Sequence, residues 1–410
     1  MIPTALKSLT PDGWLLFSAR VVRLFSYGAL SVVLVLYLTG IGLSASESGT
    51  LLTMTLLGDT AVSLWLTTRA DQAGRRRTLM AGAVLMAAAG TVFAVTRNTA
   101  VLFLAGTIGV ISPSGNEVGP FLSIEQAALS QVVSGRLRTE VFAWYTLTGA
   151  FATALGSLFA GLLVETLRKQ GATAESSERA VIILYAAMGM VLALLFLRLT
   201  REAEAPAPDS VTHRLGLGPS RGAVLKLSSL FALDAFGGGF VIQSFAAYWF
   251  HLRFGVDAAV LGGVFFGANL FAAVSALLAS RLASRLGLVN TMVFTHLPSN
   301  ILLILVPLMP TLPLAVGMLL LRFSISQMDV PTRQSYTMAI VRPEERSAAA
   351  GVTGVARTTG AAIAPSFAGA LFNHPALIGV PFFLAGGCKI IYDLLLYRAA
   401  RNLPRPDLGR

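Results

Sequence analysis

The sequence predicts an all-α membrane protein: twelve transmembrane helices in two pseudo-symmetric six-helix bundles. Three observations carry this expectation. The 410 residues are 55% hydrophobic and only 12% charged, with a mean hydropathy of +0.72, whereas soluble domains are roughly 25% charged. Lys and Arg gather in alternate gaps between apolar runs. The two halves of the chain also repeat one another. Together these exclude a nucleic-acid-binding globule despite the formal charge of +11. A disordered chain and a disulfide scaffold are excluded as well, since Cys388 is the one cysteine.

A helix needs about 20 residues to cross the hydrocarbon layer. Apolar runs between breakers place the first six spans near Trp14 to Thr39, Glu47 to Thr68, Thr78 to Thr96, Val101 to Gln131, Glu140 to Glu165 and Arg179 to Leu199. The second six fall near Val224 to His251, Ala259 to Arg281, Val289 to Leu308, Leu312 to Ile340, Ala348 to Asn373 and Pro375 to Arg398. Residues 200–223 are polar and Pro-rich, too poor in apolar side chains to bury themselves, and read as a cytoplasmic linker. The expected domains are therefore an N-terminal bundle over 1–199 and a C-terminal bundle over 224–410.

Basic residues mark every second gap: Arg69 with Arg75 to Arg77, Arg136 and Arg138, Arg198 through Lys226, Arg281 and Arg285, Arg342 and Arg346, and Arg398 to Arg410. That asymmetry follows the positive-inside rule. It puts both termini in the cytoplasm of a bacterial-type inner membrane. Met1 to Leu9 holds a single Lys and no small-residue cleavage site, so the first span is expected to be retained.

The halves align at two constant offsets. At 213, Gly42 and Gly49 fall on Gly255 and Gly262, and Gly74 on Gly287. At 208, Gln126 falls on Gln334, Arg138 on Arg346, and Phe159-Ala-Gly161 on Phe367-Ala-Gly369. Two such offsets separated by one small indel point to a duplicated six-helix unit.

The loop after the second span, Thr67-Thr-Arg-Ala-Asp71-Gln-Ala-Gly74-Arg75-Arg76-Arg77, resembles the signature Gly-x-x-x-Asp-Arg-x-Gly-Arg-Arg of the major facilitator superfamily. It matches at Asp71, Gly74, Arg75 and Arg76 and departs at Thr67 and Gln72. Arg346-Ser-Ala-Ala-Ala-Gly351 and Ala364-Pro365-Ser-Phe-Ala-Gly369 are similar to that family's eleventh-helix region. The resemblance implies a transporter working by alternating access, with spans one, four, seven and ten lining its cavity. It also implies a cytoplasmic latch at Asp71, Gly74, Arg75, Arg76 and Arg138 that holds the two halves together in the outward-facing state. The family's drug–proton antiporters carry Arg-x-x-x-Gly in the fourth helix and Gly-Pro in the fifth, and the corresponding spans here lack them.

Ionisable residues inside apolar spans cost about 2.5 to 3.5 kcal/mol each unless paired or hydrated. The basic ones are Arg20, Arg23, Arg322, Arg333, Arg357 and Lys389; the acidic ones are Asp59, Glu117, Glu125, Asp234, Asp329 and Asp393. Their balance suggests pairs. An arginine of span one is expected to pair with Glu125, and Asp234 with Arg333, Asp329 being the local competitor. Asp59 and Arg357, each about 13 Å deep at 1.5 Å per residue, are expected to meet. Lys389 and Asp393, four residues apart, are expected to satisfy each other.

Ser112-Pro-Ser-Gly-Asn-Glu-Val-Gly-Pro120 lies mid-span in span four, and Gly237-Gly-Gly239 followed by Gln243 weakens span seven. Broken helices at matching places in two repeats point to a midplane site. Asn116 and Glu117 would face a polar cavity there. Tyr27, Tyr37, Tyr248 and Trp249 read as interfacial anchors or cavity walls. His213, His251, His296 and His374 sit in separate segments without metal-ligand spacing, and no nucleotide-binding or hydrolase motif occurs. No catalytic residue, metal or cofactor is expected.

The expected function is secondary active transport of a small solute, coupled to protons through Glu117, Glu125, Asp59 or Asp234, in the efflux direction, by a monomer whose other partner is membrane lipid. One alternative is proton-coupled uptake of a small organic anion held by Arg20, Arg23 and Arg333. An alternative of another class is a non-transporting receptor or assembly factor on the same fold.

Overall fold

A computed structural model describes residues 4–7, 9–133, 137–204, 218–342 and 345–400. Every regular element among them is helical. Most of the linker expected over 200–223 lies outside the described residues. Nine helices among the described residues are long and apolar enough to cross a membrane. They correspond to spans one to three, five to nine and twelve: Pro11–Gly40, Ala45–Thr68, Arg75–Val95, Glu140–Lys169, Ala174–Leu197, Arg221–Phe254, Ala258–Leu286, Leu288–Leu308 and Pro375–Ala400.

The other three expected spans are helical but atypical. Span four is split into Thr99–Ile108 and Phe121–Val132, and span ten into Leu312–Ser326 and Asp329–Ile340. Each piece alone is too short to cross. Span eleven, Arg346–Phe372, is continuous but diluted by Gly, Ser and Thr. The break in span ten was not expected, because no Pro-Gly cluster marks it. Pro331 accounts for it: its ring has no N–H for the carbonyl four residues back, at Gln327, and crowds that carbonyl. The weakness of span seven is milder, a short interruption between Arg221–Gly239 and Gln243–Phe254. The repeat partner of broken span four is therefore broken span ten.

Helix starts follow local chemistry. Thr10 caps the first span by accepting from the Gly13 N–H, with Pro11 in the first turn. Asn98 and Thr173 cap spans four and six in the same way, through the Val101 and Ser176 N–H groups.

The chain forms two compact units. Unit 1 comprises Met1–Ser44, Met54–Val211 and Ala246–Phe266; unit 2 comprises Ala45–Thr53, Thr212–Phe245 and Gly267–Arg410. Each unit thus incorporates a segment from the other half of the sequence: unit 1 the end of span seven and the start of span eight, unit 2 the start of span two. These segments explain the repeat's glycines. In unit 1, Gly161 and Gly262 meet so closely that a Cβ on either would collide with the other's backbone; in unit 2, Gly49 and Gly369 do the same. The four positions are related by the sequence offsets, so the two crossings are equivalent, each pairing a helix of one repeat with a helix of the other.

Turns repeat as well. Gly42 and its partner Gly255 adopt φ of 108° and 67°, and Gly74 and Gly287 adopt 96° and 84°. A side chain at any of these would be strained. Unit 2 packs Val224, Leu227, Phe231, Met292, Tyr336 and Leu396 into one cluster. Large apolar side chains such as Leu64, Trp65, Leu104, Leu194 and Phe294 are exposed, as expected of surfaces that lipid covers.

Candidate functional site

The break in span four builds the site of unit 1. Between Ile108 and Phe121 the backbone leaves the helix, and its polar groups need other partners in a low-dielectric surrounding. Tyr185 Oη donates to the Val110 carbonyl at 2.6 Å, Tyr27 Oη to the Val118 carbonyl at 3.2 Å, and Ser112 Oγ to the Asn116 carbonyl at 2.7 Å. The Gly119 N–H donates to Asp59 Oδ1 at 2.7 Å, and Ser63 Oγ to the same oxygen at 3.3 Å. Asp59 is thus engaged inside its own unit as a backbone cap, a role the expected pairing with Arg357 did not foresee. Tyr27 and Tyr37 are fully buried rather than interfacial, Tyr37 donating to the Phe93 carbonyl at 2.7 Å.

Beside this break lies a four-member ion network. Arg23 of span one presents its guanidinium fork to Glu125, with Nη2 to Oε2 at 2.7 Å and a second, shorter contact from Nη1 to Oε1. Tyr145 Oη also donates to Glu125. The Nε and Nη2 of Arg23 reach Glu117 at 3.2 and 3.3 Å, and Arg20 Nη1 reaches it at 2.6 Å. Arg20 lies over the Tyr145 ring at 4.3 Å, and Arg23 over Phe121 at 4.7 Å. Glu125 is wholly shielded, whereas the Glu117 side chain is 20% exposed. Glu117 is therefore the carboxylate that water can reach. Asn116 beside it is exposed.

Unit 2 has a second network. Asp234 of span seven accepts from Arg333 at 3.0 Å and from Lys389 at 2.7 Å, while Arg333 also donates to Asp329 at 2.9 Å. Asp234 and Asp329 thus share Arg333. Lys389 does not pair with Asp393, as its spacing had suggested; it crosses to Asp234. Asp393 bonds instead with His296 Nδ1 at 2.8 Å and accepts from Asn300 at 3.0 Å, while His296 Nε2 lies 3.7 Å from Asp234. Gln243 accepts from Asn269 at 3.2 Å, outside this network. Sequence reading missed Tyr145, His296 and Asn300 as network members. For the last two a signal existed: a histidine and an asparagine four apart inside an apolar helix share one face.

The expected latch is partly described. Gly74 ends the turn before Arg75–Val95, and Glu204 accepts from the backbone N–H of Arg75 at 2.6 Å and of Arg76 at 3.2 Å. A carboxylate at a helix N-terminus is electrostatically favourable. Arg75 also donates to Gln131 at 2.8 Å and to the Ala203 carbonyl at 3.4 Å, both in its own unit. Glu204 joins spans three and six in a way that sequence could not show, being 129 residues from Arg75. The side chains of Asp71 and Arg138 lie outside the described residues.

Two repeat-related helical units, each with a buried ion network beside a broken span, define a membrane transporter. The chain belongs to the Major Facilitator Superfamily, whose family model matches residues 16–365. It is 30% identical to an uncharacterized membrane protein of Saccharomyces cerevisiae, YJR124C, over 95% of this chain and 94% of that protein. Its fold is similar to that of a bacterial homolog of the human lysosomal transporter Spinster in an inward-facing, unoccupied conformation, with a TM-score of 0.71, 16% identity and 98% of both chains covered. It is also similar to the nucleoside transporter NupG, with a TM-score of 0.74, 14% identity, and 94% of this chain and 98% of that one covered.

Proposed function

We propose that this protein moves a small solute across a bacterial-type inner membrane by proton-coupled alternating access, as a monomer with both termini cytoplasmic, and in the efflux direction. The observation that carries the reading is Glu117. It is the partly exposed carboxylate of unit 1, it sits in the break of span four, and it is shared between Arg20 and Arg23. Adding a proton to Glu117 removes the anionic partner of Arg20 but leaves Arg23 held by Glu125. One protonation thus releases one cation and keeps the other fixed, and a buried, unpaired arginine is costly enough to drive a rearrangement. Solute binding that competes for Arg20 would be linked to proton uptake by the same geometry.

The test is Glu117→Gln in proteoliposomes. The amide imitates the protonated acid but cannot release a proton. Solute exchange should persist while accumulation against a gradient, driven by an imposed pH difference, falls to background. Undiminished uphill transport would remove Glu117 from the coupling. Everted vesicles, in which an exporter fills the lumen, check the direction. A second reading, proton-coupled uptake of a small organic anion, is favoured by the excess of cations in unit 2.

A further inference from the structure

The arginines first considered for an organic anion are already occupied. Arg20 and Arg23 are neutralised by Glu117 and Glu125, and Arg333 by Asp234 and Asp329. Unit 2 contains two others that are not. Neither Arg322 nor Arg357 makes a hydrogen bond or ion pair with any described residue, and the Nε of each is shut off from solvent with nothing to donate to. Both lie within electrostatic reach of the same two carboxylates, Asp234 and Asp329. Those carboxylates are already committed, Asp234 to Arg333 and Lys389 and Asp329 to Arg333, and Asp393 is committed to His296 and Asn300. These three carboxylates are outnumbered by the four permanent cations inside the unit's spans, Arg322, Arg333, Arg357 and Lys389. Arg333 and Lys389 are the two that the carboxylates bond, and Arg322 and Arg357 are the two they do not.

Position excludes the ordinary fates of such arginines. Arg322 is ten residues into Leu312–Ser326 and Arg357 eleven into Arg346–Phe372, which at 1.5 Å per residue places each about 15 Å from its helix end. That is the middle of a hydrocarbon layer about 30 Å thick, the most costly depth for a cation and too deep to reach a headgroup. Beside Arg357 there is also room. Gly354, three residues before it on the same helical face, has no heavy atom within 4 Å of where a Cβ would stand. Neither arginine is wholly buried.

We propose that Arg322 and Arg357 form the cationic wall of a substrate site in unit 2 for a small organic anion, held through a carboxylate or phosphate group. The proposal rests on the transporter reading above and names its substrate class. Guanidinium forks match either oxyanion bidentately, and the anion supplies the charge that the unit's own carboxylates do not.

The test is the thermal stability of the full chain in a nonionic detergent, because a ligand that binds only the folded state raises Tm. The probes are sodium succinate and sodium phosphate, against sodium chloride at equal ionic strength and against mannitol. The wild type should show an oxyanion-specific rise in Tm, and Arg322→Gln and Arg357→Gln should each lose it while remaining monodisperse. Both variants should also melt no lower than wild type in chloride, since each removes a charge that these carboxylates do not bond. Repeating the measurement with added phosphatidylglycerol distinguishes a lipid headgroup from a soluble anion: a headgroup would saturate the site and abolish the response to succinate, overturning the proposal. An equal oxyanion response in the wild type and both variants, or none in any, would overturn it too. Neither result would touch Glu117, whose coupling is read by pH-driven transport of any accepted solute.

Discussion

In unit 1, span one supplies the cations and span four the carboxylates, whereas in unit 2 span seven supplies the carboxylate and span ten the cation. The geometry is shared: an ion pair joins the first and fourth helices of each repeat. The bookkeeping differs. Unit 1 has two arginines for two glutamates, bonded almost to saturation, with Glu117 as its one accessible member. Unit 2 places three carboxylates among four permanent cations and a histidine, and two of its arginines, one of them stacked over Phe323, have no hydrogen-bond or ion-pair partner among the described residues. Duplication thus kept the pairing positions and inverted their signs. One unit became self-sufficient, and the other was left short of anions.

The largest expected effect breaks this comparison at the shared position. Glu125→Gln leaves Arg23, wholly buried, with only the longer contacts to Glu117, and should destabilise unit 1 by about 3 to 5 kcal/mol. Asp329→Asn leaves Arg333 still bonded to Asp234 and should cost only about 1 to 3 kcal/mol. Melting curves in detergent compare the two. Equal losses would mean that the networks are equally redundant.

A smaller effect separates caps from charges. Asp59 acts as acceptor for the Gly119 N–H, so Asp59→Asn, which keeps a carbonyl oxygen in place, should lose well under the roughly 1 to 3 kcal/mol of Asp59→Ala, which orphans that donor. Arg357→Gln, which should itself cost no stability, should leave the Asp59→Asn loss unchanged when the two are combined. A double variant that recovers stability would show instead that the two residues neutralise each other.

The smallest effect lies outside the spans. Glu345 is held below the usual carboxylate range by the Ser220 hydroxyl and by the backbone N–H groups of Ser220 and Gly218. Its folded-state pKa is depressed, so its contribution is present above the unfolded value of about 4.3 and is lost as pH falls through the folded value. The stability difference between wild type and Glu345→Gln should therefore be flat from pH 6 to 8 and shrink below about pH 4. A difference that grew on acidification would reverse the assignment.

Much of this molecule was legible in its sequence. Hydropathy and the spacing of breakers marked the helices, because a chain in lipid must satisfy its backbone within each segment. The glycine offsets announced the repeat, since only glycine tolerates the positive φ at Gly42, Gly74, Gly255 and Gly287, or the close crossings at Gly49 and Gly161. The pairings of Glu125 with a span-one arginine and of Asp234 with Arg333 followed from inverted charge at equivalent positions. The partners of Lys389, Asp393 and Asp59 did not follow. Each has a plausible neighbour along its own helix or at equal depth, and only the packing of spans seven, nine and twelve brings Asp234, His296 and Lys389 together. The same holds for Arg322 and Arg357. Composition shows six cations and six anions inside the spans, but whether a given cation has an anion beside it depends on distances between helices, which no sequence pattern encodes.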